Sequence, residues 1–220
     1  MDEKPEDVSD RLAAPEMLWP DVPRFGFSGS AGYFALGPVA SVEWAQRQGM
    51  HGYVEGYRRA AETVFETVAG RSPDYAVWPL VFLWRHHLEL AMKDIIAAGR
   101  AIDGEATGFP TGHDLLKLWR EAKPHIQNCG PKESPELRNV EASITEFQDV
   151  DPGADGFRYP VMRNNPKSRS LPNAPAHVNL ATLQEAMLGL SNFFSAVRSE
   201  QDARLDYISD TIRDEQSREY

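Results

Sequence analysis

From Ser41 onward, apolar residues return every three or four positions. Val54, Tyr57, Ala61, Val64 and Val68 share one helical face, with Arg58, Arg59, Glu62 and Glu66 on the others, which predicts a helix over about 41–69. Gly70 and Pro73 punctuate its end and open a second helix running to Arg100, whose Val77, Leu80, Val81, Trp84, Leu88, Ala91 and Ile95 face a core. That breadth of apolar surface marks it as the central element. Gly99, Gly104, Gly108 and Pro110 signal a loop, and Thr111, Gly112, His113 and Asp114 read as the capped start of a short helix carrying Leu115, Leu118 and Trp119 up to Pro124. Ser134 caps a further helix with Pro135 in its first turn, and Leu137, Val140, Ile144 and Phe147 form its buried stripe to about Asp151. Residues 152–175, rich in Gly, Pro and Asn, predict a long ordered loop or short hairpin. Leu180, Leu183, Met187, Leu190, Phe194 and Val197 then make a sustained stripe that Leu205, Ile208 and Ile212 extend with a change of phase.

The pattern predicts an all-α protein, an antiparallel bundle of about five helices, spanning residues 41–200, with a charged helical extension over 201–220. Residues 1–40 are broken up by prolines and glycines and predict a loop-rich arm, partly docked through Trp19, Phe25, Phe27, Tyr33 and Phe34.

Composition narrows the setting. No apolar run approaches the ~20 residues of a membrane span, since Arg85, His86, His87 and Glu89 interrupt the most apolar stretch. The acidic start shows neither secretory nor transit features, so a cytoplasmic location is expected. The single cysteine, Cys129, excludes an internal disulfide and suits a reducing compartment. A net charge of -10 argues against binding nucleic acid over the whole surface, so any RNA site must be local.

The densest polar cluster sits on the helix otherwise built for burial. Four-residue steps put Arg85, Glu89 and Lys93 on one face, beside His86. They form either a solvated charge stripe or a polar seam at a groove, with Arg85 and a histidine directed at a phosphate. His113 and Asp114 start the next helix, where a histidine serves as proton carrier or as capping and packing residue. Arg158 and Tyr159, within FRYP, suit phosphate binding and base stacking; equally, Tyr159 could be core and Arg158 an ion-pair partner of Glu89 or Asp114. Marks of nucleotide cradles, serine hydrolases and helical zinc proteases are missing from the sequence, and neither metal nor cofactor is expected.

The series RHHLELAMKDII, GHDLLKLW, FRYP and a closing amphipathic helix, over roughly residues 73–198, resembles the HEPN superfamily (higher eukaryotes and prokaryotes nucleotide-binding). The resemblance implies a helical bundle that dimerises and belongs among RNA-cleaving toxins or defence effectors. Active members carry an Arg followed a few residues later by a His. Arg120 and His125 in REAKPH match that spacing, with Glu121 where Asn, Asp or His is usual. On that match, cleavage would need no metal: His125 would handle the 2′-hydroxyl proton and Arg120 the phosphorane charge, across a dimer. The competing expectation, which is preferred, places the chain among inactive members. It would then be an RNA-associated or assembly module in a toxin or antiviral setting, a homodimer with a possible protein partner, using Arg85, Glu89, Lys93, His113 and Arg158 as its polar network.

Overall fold

The computed structural model describes residues 42–68, 74–105, 108–162, 165–171 and 173–218. The proposed arm at 1–40 and the Gly70 and Pro73 boundary signals lie outside the described residues. The helices are α1 (Val42–Arg47), α2 (Gly49–Val68), α3 (Val77–Ile102), α4 (Leu115–Cys129), α5 (Pro135–Val150) and α6 (Leu180–Arg218), with a two-stranded hairpin of β1 (Val161–Met162) and β2 (Asn165–Arg169) before α6. The fold is thus an all-α bundle, and residues 43–220 form one compact unit.

Helix α3 is its axis. Leu80, Trp84, Leu88, Met92, Ile95 and Ile96 are almost fully buried, against α2 on one side, α4 on another and α6 on a third. Cross-helix pairs reveal direction. His87 Nδ1 donates to the Val54 carbonyl at 3.0 Å while His86 lies edge-on to Tyr57 with ring centroids 4.4 Å apart, so α2 runs against α3. Lys123 reaches Glu141 at 2.7 Å while the Leu115 amide donates to Gln148 Oε1 at 2.9 Å, so α4 and α5 are also antiparallel. By contrast, Trp84 bonds Gln184 and, further along, the Ile95 carbonyl accepts from Gln201, so α3 and α6 share a direction. Helix α4 runs with α3 as well: His113, just before α4, meets Glu89, and His125 lies over Gly99. The connection 103–114 therefore carries the chain back along α3 by about 20 Å at 1.5 Å per residue, whereas α5 runs against α3 and the connection 151–179 begins and ends beside the same part of that helix.

Three sequence expectations change. The first helix is two, because Gln48 forms a turn and Gly49 takes φ +56°, a left-handed conformation that glycine adopts without a Cβ penalty. Gly99 belongs to α3 rather than to a loop; it lets α4 approach, since a Cβ there would stand 2.3 Å from the His125 ring. Helix α4 passes through Pro124 to Cys129. Proline deletes one backbone hydrogen bond, to the Arg120 carbonyl, but Pro124 faces solvent while Trp119, Ala122 and Ile126 on the opposite side hold the helix to the core. Cys129 is accordingly the last residue of α4, half-buried, with burial pushing its thiol above the ordinary value. The caps stand: Asp114 accepts from the Lys117 amide at 2.9 Å and Ser134 from the Leu137 amide at 3.2 Å.

Candidate functional site

The end of the first connection and the start of the second meet the same stretch of α3, residues 82–93. There the Arg85, Glu89, Lys93 face is assembled with His113 from the first connection and Arg158 from the second. It is not a solvated stripe: Arg85 is 3% and Glu89 2% exposed. The Arg85 guanidinium donates from Nη2 to the His113 carbonyl at 2.9 Å, with Nη1 3.5 Å from Glu89 and Nε 3.4 Å from Asp151 Oδ2. Burial pulls Arg85 below its ordinary pKa; the two carboxylates oppose that pull.

Glu89 links this buried charge to the surface. Its Oε1 accepts from Lys93 Nζ and from His113 Nδ1, both at 2.9 Å. Burial alone would raise the Glu89 carboxyl, but the Lys93 and His113 hydrogen bonds outweigh it and hold the group below its ordinary value. With an ionised acceptor, His113 must carry a proton on Nδ1, and its side chain is 64% exposed. His113 is thus a side chain held by a carboxylate, and the capping role falls to its neighbour Asp114.

The turn 151–160 is fixed by Asp151, 1% exposed, whose Oδ1 accepts from the Gly156 amide at 3.0 Å while Oδ2 faces Arg85. It presents Arg158 and Tyr159 outward. Arg158 pairs with Asp155, not with Glu89 or Asp114, and Tyr159 is 56% exposed rather than core. In a turn without periodicity the ring turned toward the core is the half-buried Phe157, near Phe147 and Trp78. The Arg158 guanidinium also stands 5.6 Å from the centroids of both Phe82 and Tyr159, within cation–π range.

His86 lies between these groups, stacked at 5.8 Å on Phe82 and edge-on to Tyr57. Burial lowers its pKa, Glu89 raises it, and the charges of Lys93, His113 and Arg158 lower it further. It is therefore a neutral ring at pH 7. His87 points elsewhere, buried against Val54 and Trp84.

Arg120 and His125 are placed differently. Arg120 is exposed on α4; His125, 15% exposed, packs on Gly99 with Nδ1 3.5 Å from Asp103. Five residues of helix set their side chains about 140° apart. Two features escaped sequence reading: Asp151, which looked like a helix terminus, and the Trp78, Phe82, His86 series, which four-residue spacing could have revealed.

Fold and site together define an all-α bundle carrying a compact polar–aromatic cluster on its central helix. No family model matches this chain, and no curated protein or solved structure matches it either. Among the described residues no helix is long and apolar enough to cross a membrane, and no group of three or more His, Cys, Asp or Glu is placed to hold a metal ion.

Proposed function

We propose that this chain is an RNA-associated module, HEPN-like in kind, that binds through the cluster around His86. It serves a toxin or antiviral system as a cytoplasmic homodimer with no strong catalysis of its own. One observation carries the reading: Lys93 and His113 converge on Glu89 while Arg158 stands over the Phe82 ring that stacks on His86, so basic side chains from three separate segments of an acidic chain gather in one place. The Lys93 and Arg158 cations with exposed Tyr159 suit a phosphate with its base, whereas a net charge of -10 disfavours broad contact with duplex backbone.

The test is incubation of the full chain with total RNA and tRNA in EDTA, followed by native and denaturing gels, with Arg158→Ala and His125→Ala alongside. Retention of RNA without new fragments, weakened by Arg158→Ala, is the expected result. No retention by any form removes the proposal. Fragments that vanish only in His125→Ala would replace it by metal-independent endonuclease action using Arg120 and His125 across a dimer.

A further inference from the structure

The outward face of α3 reads, in four-residue steps, Trp78, Phe82, His86, and then Lys93 two turns further on. Trp78 is 48% exposed, Phe82 and His86 are half-buried, and Tyr159 from the 151–160 turn stands beside them at 56% exposure. A surface helix normally turns such rings inward, where aromatic burial is most stabilising. Here the inward face is already filled by Leu80, Trp84 and Leu88, and the aromatic series occupies a second face. Its rings are ordered. Phe82 and His86 lie within 10° of parallel, Trp78 is braced by Phe157 at 6.2 Å, and Arg158 stands over both Phe82 and Tyr159. At its far end Lys93, 11% exposed, and His113, 64% exposed, both donate to Glu89.

We infer that this face is a stacking track for single-stranded RNA, running from Trp78 past Phe82 and Tyr159 to the donors Lys93 and His113. The inference rests on the RNA reading above and names its substrate class. Trp78 to Lys93 spans about 22 Å of helix, room for several unstacked nucleotides. Bases stacked in a duplex cannot lie on such rings; bases of a single strand can, and every base offers a π face, so binding is tolerant of sequence. Few phosphates meet a cation here, because Lys93 is 11% exposed and bonded to Glu89, which His113 also meets, and Arg158 is paired with Asp155. Affinity therefore comes mainly from stacking. With two or three phosphate contacts, raising salt from about 50 to 200 mM should weaken binding only on the order of tenfold, against a thousandfold or more for a fully electrostatic groove.

Fluorescence anisotropy of the full chain with labelled oligoribonucleotides of about 10 nucleotides, single-stranded and as a duplex, tests this. Single strands should bind at least tenfold more tightly than duplex, with the shallow salt dependence given above. Trp78→Ala and Tyr159→Ala should each weaken binding about 5- to 100-fold, while Tyr159→Phe, which keeps the ring, should bind as wild type. Thermal melts separate these effects from misfolding, and Tyr159 on its exposed turn carries little fold risk. Equal affinity for duplex, or full affinity in both alanine variants with loss only in Arg158→Ala, overturns the stacking track and leaves the RNA reading standing. No binding of any RNA removes both. If light scattering then shows a dimer that Trp78→Ala dissociates, the face joins two copies of this chain instead.

Discussion

Gly99 offers the sharpest test of how α4 is seated. An alanine Cβ there would lie 2.3 Å from His125 Cγ and Nδ1 and 2.7 Å from its Cβ, whereas unstrained carbon contacts are about 3.5–4.0 Å. His125 must therefore retreat by more than ~1 Å, and it is a mostly buried ring on a packed helix. Overpacking of this kind costs about 1–3 kcal/mol. Exchanging glycine for alanine inside a helix returns about 1 kcal/mol, so Gly99→Ala alone should destabilise by roughly 0–2 kcal/mol. With His125→Ala already present the clash is gone and only the helix gain remains, so the same substitution should stabilise by about 1 kcal/mol. Urea unfolding of the four proteins yields the coupling energy, expected at about 1–3 kcal/mol. Additive energies, or a Gly99→Ala variant stabilised by about 1 kcal/mol in the wild-type background, would refute the contact and free His125 from its packing role.

Arg85→Met should cost about 3–5 kcal/mol, because Glu89 and Asp151 are left buried without their shared cation; an unfolding midpoint within about 2 °C of wild type would contradict this. His87 is held neutral, chiefly by burial, with Nδ1 on Val54 and Nε2 unpartnered in the core. Below about pH 6.5 the unfolded chain takes up a proton that the folded ring resists, so stability falls as pH falls, by up to about 1.4 kcal/mol per unit for each such histidine. His86 adds to the same trend, and chemical unfolding from pH 7 to 5 should show a gentler slope in His87→Gln; an unchanged slope removes His87 from the account. Glu55, held at about 2 by Arg58 and Arg59 against some desolvation, contributes stability that is complete above about pH 4.5 and fades toward pH 2, detectable as its loss in Glu55→Gln. Ser134→Ala should remove about 1 kcal/mol and Ser134→Asp should restore it, both measured by thermal melts.

The helices were legible because burial imposes a period: Leu137, Val140, Ile144 and Phe147 all face the core as their spacing demands. Asp114 and Ser134 were legible because capping is local chemistry between a side chain and an amide three residues on. Pro124 misled because its cost is one hydrogen bond on the exposed side, which Trp119 and Ile126 outweigh through contacts no local reading contains. Helix direction was hidden too, since a 3.6-residue period is the same for parallel and antiparallel neighbours. That gap concealed the site: Arg85, His113 and Asp151 meet only because the first connection turns back along α3 and α5 then returns antiparallel to it. Tyr159 and Phe157 differ by two residues in an aperiodic turn, where nothing in the sequence says which ring faces out.

Helix α6 keeps its last buried residue at Gln201, which is wholly enclosed and anchored to the Ile95 carbonyl. Beyond it only Arg204, Leu205 and Ile208 are half-covered, and from Ser209 to Ser217 every side chain is exposed. The final 17 residues of the helix thus form a handle of about 25 Å whose outer half can be shortened, labelled or fused without disturbing the core. A fluorophore placed on Asp202, next to the Gln201 anchor, would report tumbling of the whole bundle, whereas one on Ser217 would add the fraying of an unpacked helix end.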